Sequence, residues 1–158
     1  MDHEALLRRA IGIADRARAA GNHPFGALLV TADGRVAAEA ENTVVTGHDV
    51  TGHAETNLVS IASQRFEPEE LAAMTLVTSC EPCAMCSGAI HWAGIGAVVY
   101  GLSEEGLLAM TGDDPANPTL ALPCRTVLAA GRRGVEVTGP LLEDEARASH
   151  EGFWHPPA

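Results

Sequence analysis

Two short stretches constrain this chain more than any other: His53-Ala54-Glu55 and Pro82-Cys83-Ala84-Met85-Cys86. One imidazole and two thiolates form a borderline-to-soft donor set that suits zinc. Cysteines at i and i+3 lie on one face of a helical turn and can share one ion. Pro82 suits a helix start, where the helix dipole favours thiolates. His53 is read as opening a second helix, so two helix starts have to converge on one metal. Three protein ligands leave a fourth position open for water, which marks a catalytic rather than a structural zinc. Glu55, two residues past a ligand, can stand beside the metal without binding it and carry a proton from water to a leaving nitrogen. A structural zinc needs a fourth ligand, for which Cys80 or the remoter Cys124 could serve. That reading explains neither Glu55 nor Pro82.

The rest of the chain is read as the scaffold for this convergence. A helix is expected over 4–20, a strand over 27–31, an Asp33-Gly34 hairpin turn and a returning strand over 36–40. A polar loop follows over 42–52, then a helix over 53–63 and a surface turn at Glu67-Pro68 opening a short helix. Strands are expected over 74–78, 97–100 and 135–138, with helices over 82–93, 124–130 and 141–151 and a loop over 111–118. This order implies an α/β domain with three α/β/α layers around a five-stranded mixed sheet. With 158 residues the chain has one domain's worth of core, read as a single domain over 1–152 with a tail over 153–158. Cys80 and Cys124 are expected in the core.

Charge narrows the partners. Ten Lys+Arg against 21 Asp+Glu give −11, which disfavours a nucleic-acid binder that neutralises phosphates. No run approaches 18 apolar residues, so no membrane span is expected. No basic segment followed by an apolar run opens the sequence, and three cysteines cluster as in a metal site. Both features point to a cytoplasmic, reducing compartment.

The spaced set H-x-E…P-C-x-x-C is the signature of zinc-dependent base deaminases. With Pro24-Phe25-Gly26-Ala27, Asn42 and the run Thr78 to Ala93, the chain resembles the cytidine-deaminase-like superfamily, and within it most resembles bacterial guanine deaminases and neighbouring base deaminases. The resemblance runs from the first helix to Tyr100. It implies one zinc per subunit on His53, Cys83 and Cys86, with Glu55 as proton shuttle. It implies that Asn42 hydrogen-bonds the base edge, that the Ala54 backbone lies beside the same pocket, and that Phe25 and Trp92 wall it. A second acidic residue relays protons in guanine deaminases, and Asp114 is the nearest match, with Asp113 beside it. The C-terminal tail, with Phe153 and Trp154, is expected to close the pocket of a homodimer, from its own or the other subunit. Pro115 stands where the guanine-specific pattern has an aromatic, and His23 where a small residue is common.

The function expected is hydrolytic deamination of a free nucleobase, guanine or a related purine or triazine. The alternatives are a cytosine or small-nucleoside deaminase and, disfavoured by charge, a tRNA adenosine deaminase. A zinc-stabilised binding domain with a decayed site is the non-enzymatic alternative, and the intact Glu55 argues against it.

Overall fold

The computed structural model describes residues 1–154; the last four residues of the expected tail lie outside the described residues. The elements run α1 (His3–Ala19), β1 (Gly26–Val30), β2 (Val36–Glu41), α2 (Val44–Gly47), α3 (Ala54–Arg65), α4 (Pro68–Leu71), β3 (Thr75–Cys80), α5 (Ala84–Ala93), β4 (Ala97–Leu102), α6 (Glu104–Thr111), α7 (Cys124–Ala129), β5 (Glu136–Thr138) and α8 (Glu143–Ala148). Two helices, α2 within the expected 42–52 loop and α6, add to the order expected. The α4 turn was anticipated from Glu67-Pro68 and is closed by a capping box between Glu67 and Glu70.

The five strands form one sheet in the order β2-β1-β3-β4-β5. β1 pairs antiparallel with both β2 and β3, while β3–β4 and β4–β5 are parallel. The mixed sheet follows from the connections. A Thr31–Arg35 turn joins β1 to β2, whereas β3 reaches β4 through α5, as a parallel crossover requires. β1 and β3 are buried along their whole length, so neither alternates between apolar and polar faces, and β3 buries the hydroxyls of Thr75, Thr78 and Ser79 within the sheet.

Helices cover both faces. α1 and α8 lie on one side, and α3, α5 and α7 on the other. α1 buries Leu7, Ala10, Ile13, Ala14 and Ala17 along one stripe. It presses so close to the start of β1 that a Cβ on Gly26 would stand 2.5 Å from Ala10 O and 2.6 Å from Ala14 N. Only glycine fits there, and its neighbour Phe25 is thereby fixed at the sheet end.

That sheet end is where the segments meet. β1 and β3 are antiparallel, with Ala27 opposite Thr78, so the beginning of β1 lies beside the carboxyl end of β3. The end of β2 pairs back onto Gly26 through Glu41, which delivers Asn42 to the same place. A crevice at the carboxyl ends of parallel strands is the usual ligand position in α/β sheets. No helix among the described residues is long and apolar enough to cross a membrane.

Candidate active site

Two helices begin at this crevice. His53 is the residue just before α3 and Cys83 the residue just before α5. Both have extended backbones there, which turns their side chains away from the helix they open and toward each other. Cys86 follows one turn into α5 and is fully buried. Cys83 Sγ and Cys86 Sγ stand 3.6 Å apart, and His53 Nδ1 lies 3.7 Å and 3.4 Å from them.

Those distances test the metal reading. A tetrahedral zinc with Zn–S of about 2.3 Å and Zn–N of about 2.05 Å places its sulfurs about 3.8 Å apart and each sulfur about 3.6 Å from the nitrogen. The observed triangle matches. Among the described residues it is the group of His, Cys, Asp and Glu whose ligand atoms gather closely enough to hold an ion. Cys80 and Cys124 are buried outside it, as core residues. The two clustered thiols are shifted in opposite directions. Cys83 is pushed down to about 4, first by its hydrogen bond to Cys86 and then by His53. Cys86 is pushed up by the same bond and by burial.

Glu55 stands beside the triangle and is 4% exposed. Its Oε1 accepts a hydrogen bond from Thr78 Oγ1 at 2.7 Å, and its Oε2 lies 3.6 Å from Cys86 Sγ. Burial raises its pKa, opposed by the His53 charge and the Thr78 hydroxyl. A carboxyl lifted toward neutrality can both accept and return a proton.

The cavity over this site has a volume of about 320 Å³, within the range of small-molecule pockets. Phe25, Asn42, His53, Glu55 and Cys83 line it, as expected. Asn42 is held by its own turn, since its Oδ1 accepts from Val44 N–H at 3.0 Å. Its NH2 is then the end that it can offer the cavity. The loop carrying it is tied to α3, where Asn57 Nδ2 donates to Glu41 O at 2.9 Å and Thr43 Oγ1 at 3.0 Å.

Four expected residues lie elsewhere. Ala54 is fully buried as the first residue of α3, between His53 and Glu55. Trp92 is not a wall of this cavity: it is 84% exposed on the outer face of α5. It follows Cys86 by six residues, which is about 240° around a helix of 3.6 residues per turn, so the face that buries Cys86 turns Trp92 outward. Trp154 is buried behind the cavity, with its ring 5.4 Å from His23 and 6.2 Å from Phe25, and its indole N–H donates to His150 Nδ1 at 3.0 Å. Phe153 also packs on His23 of the same chain. Asp114 is buried in the loop after α6, where Oδ1 accepts from Ala116 N–H at 2.8 Å. Its charge acts on His23, and its loop neighbours from Pro115 to Leu120 form the outer wall.

Sequence reasoning missed three carboxylate and hydroxyl partners: Thr78, Glu81 and Glu104. Glu81 is buried and bridges two segments, accepting from Glu104 N–H and Cys124 N–H, each at 2.9 Å. Glu104 opens α6 and lines the cavity. Burial and the neighbouring Cys83, Glu81 and Glu55 charges lift its carboxyl to about 7. The signal for α6 was present, because Ser103 caps the helix by accepting from Gly106 N–H and is followed by Glu104-Glu105.

The family model for the cytidine and deoxycytidylate deaminase zinc-binding region matches residues 1–102. The chain belongs to this family. As a member it is a zinc-dependent deaminase, and the His53, Cys83 and Cys86 cluster has the donor chemistry the family's metal needs. Over 150 residues the deaminase is 45% identical to a probable cytosine deaminase of Schizosaccharomyces pombe, covering 95% of this chain and 91% of that one. Over 101 residues it is 45% identical to a guanine deaminase of Bacillus subtilis, covering 63% and 64% of the two chains. The solved guanine deaminase of Nitrosomonas europaea superposes with a TM-score of 0.77 at 31% identity, over 92% of this chain and 81% of that chain.

Proposed function

We propose that this deaminase converts a free nucleobase, guanine or a related purine or triazine, to its oxo form by hydrolysis with release of ammonia. The observation that carries the reading is the buried Glu55 carboxylate, 3.6 Å from Cys86 Sγ and lining a small-molecule-sized cavity. The structural likeness to guanine deaminase supports a purine. A second reading, cytosine, is favoured by the near full-length similarity to the Schizosaccharomyces pombe protein.

Zinc held by His53, Cys83 and Cys86 would supply Lewis acidity and a water of lowered pKa. Glu55 takes the proton from the attacking water and delivers it to the ring nitrogen, then assists departure of the amine. Water and the amino base thus become the oxo base and ammonia. Asn42 orients the base through its NH2, beside the Ala54 backbone, and Phe25 covers one face of the ring. Trp154 acts from behind, holding Phe25 and His23 in place. Asp114 relays protons through the outer loop.

The subunit works as a homodimer in this reading. Met85 and Trp92, seven residues apart on α5, expose apolar side chains on its outer side, which a second copy of the chain would cover. Sedimentation of the purified protein checks this, and a monomer at micromolar concentration rejects it. The substrate reading is tested by ammonia release from guanine, 2,6-diaminopurine, a triazine and cytosine with zinc-loaded protein. Turnover confined to cytosine moves the assignment to the second reading, and no turnover of any base refutes both.

A further inference from the structure

Glu104 is a carboxyl in the reaction cavity to which the mechanism above gives no task. It lines the wall beside Cys83 and Glu55. No hydrogen bond or ion pair among the described residues engages its side chain. Its backbone is nonetheless anchored on both sides. Glu104 N–H donates to Glu81 Oε2 at 2.9 Å, and the preceding Ser103 donates from N–H and Oγ to Glu143 Oε1 at 3.1 Å and 2.8 Å. A half-buried carboxylate whose backbone is anchored, and whose oxygens accept no hydrogen bond among the described residues, is free to accept one from a donor in the cavity.

Its position adds a second constraint. Glu104, Glu81 and Thr119 line both the metal cavity and an adjoining groove of about 400 Å³. No arginine lines the metal cavity, and the sequence contains no lysine at all. Arg125 lines the adjoining groove and not the metal cavity, and it donates to Tyr100 Oη at 2.8 Å and to Gly139 O at 2.7 Å. Among the described residues, a phosphate entering the metal cavity meets carboxylates and no arginine, whereas an N–H or O–H donor meets an acceptor.

We propose that Glu104 is a specificity-determining residue, accepting a hydrogen bond from a donor on an uncharged substrate, and that the same wall rejects phosphorylated substrates. The inference rests on the deaminase reading and deepens it by restricting the substrate to neutral bases or nucleosides. The donor is a ring N–H or amino group if the substrate is a base, or a sugar hydroxyl if it is a nucleoside.

The test compares zinc-loaded wild type, Glu104→Ala and Glu104→Gln on guanine, cytosine, guanosine, cytidine and the two 5′-monophosphates, read as ammonia release. Zinc content is measured on each variant. The expected result is that Glu104→Ala loses roughly 10- to 100-fold in kcat/KM on the preferred compound, mainly through KM, with zinc unchanged. The matching monophosphate is expected to be at least 100-fold poorer than the neutral compound in wild type. Loss on nucleosides alone assigns the donor to the sugar, and loss on bases assigns it to the ring. Retention of kcat/KM within threefold in Glu104→Ala overturns the proposal, as does a monophosphate processed as well as its neutral parent. Calorimetric binding of the same compounds to Glu55→Gln and to the Glu55→Gln/Glu104→Ala double variant keeps the two readings separate. If wild type releases no ammonia, the substrate reading fails, and Glu104 is judged on affinity alone. A tenfold or greater loss in the double variant supports its role; equal affinities, or no binding of any compound, refute it.

Discussion

Thr78 Oγ1 donates a 2.7 Å hydrogen bond to Glu55 Oε1 and so fixes which oxygen of the carboxylate is left to face Cys86. The two residues are 23 positions apart, and Thr78 sits on β3, the strand that leads into the cysteine motif. One strand therefore supplies both the orientation of Glu55 and the entry to the cysteine motif. Thr78→Val keeps the shape and removes the hydroxyl. We expect kcat to fall on the order of 10-fold, as Glu55 loses its orienting donor and a buried acceptor loses its partner. Thr78→Ser is expected to restore the rate, and zinc content to stay at wild-type level in both. A Thr78→Val rate within twofold of wild type would show that Glu55 needs no such support.

Glu55 and Cys83 separate chemistry from metal binding. In Glu55→Gln, zinc should remain stoichiometric while turnover drops about 10²- to 10⁴-fold, the usual weight of general acid–base catalysis. In Cys83→Ala one of three ligands is gone, so zinc content and activity should fall together, and zinc should no longer raise the melting temperature. Elemental analysis beside the ammonia assay reads both. Full zinc and full activity in Cys83→Ala would remove it from the ligand set.

Glu81 stitches the cavity wall. Its two oxygens serve Glu104 N–H on α6 and Cys124 N–H on α7. Glu81→Ala leaves two backbone donors without their acceptor, and each such group costs about 1–3 kcal/mol when buried. Denaturant unfolding should show destabilisation of that order. Glu81→Gln, which keeps one acceptor oxygen, should lie between.

His150 gives the fold a pH dependence. It is 1% exposed, stacked on Trp154, and its Nδ1 accepts from the indole. Burial, with the Arg18 charge nearby, lowers it from 6.5 to about 4. Between those values the unfolded chain binds the proton and the folded chain does not. His150 therefore makes stability fall as pH drops from about 6.5 toward 4, by at most about 1.4 kcal/mol per pH unit. A His150→Gln protein should lose less melting temperature than wild type over that interval. Parallel decline of the two proteins would place the acid sensitivity elsewhere.

The ligand triad and Glu55 were legible because their signals are local. Spacing along one helical turn, a proline before a helix and a residue just ahead of a helix are all written in neighbouring positions. The layering was legible for the same reason: β1 carries an apolar run, β3 is rich in β-branched residues, and α1 carries a clear stripe. The helix at Glu104–Thr111 was readable from Ser103-Glu104-Glu105 but competed with the Gly112–Pro118 loop signal that follows it.

Side-chain partners across the fold were not legible. Trp92 belongs to the motif-bearing helix, yet which side of that helix meets the core depends on how α5 packs against α3 and α7. Trp154 is close to the pocket only through His23 and Phe25, two residues that precede it by more than a hundred positions. The sequence by itself determined the metal donor set, the carboxylate beside it and the α/β class, since these rest on residue type and short-range spacing. The tertiary structure alone decided which groups surround the reacting site. The register of β1 against β3, and the crossovers that follow, bring Thr78, Glu81 and Glu104 to one wall, and no local rule encodes a contact made at that distance along the chain.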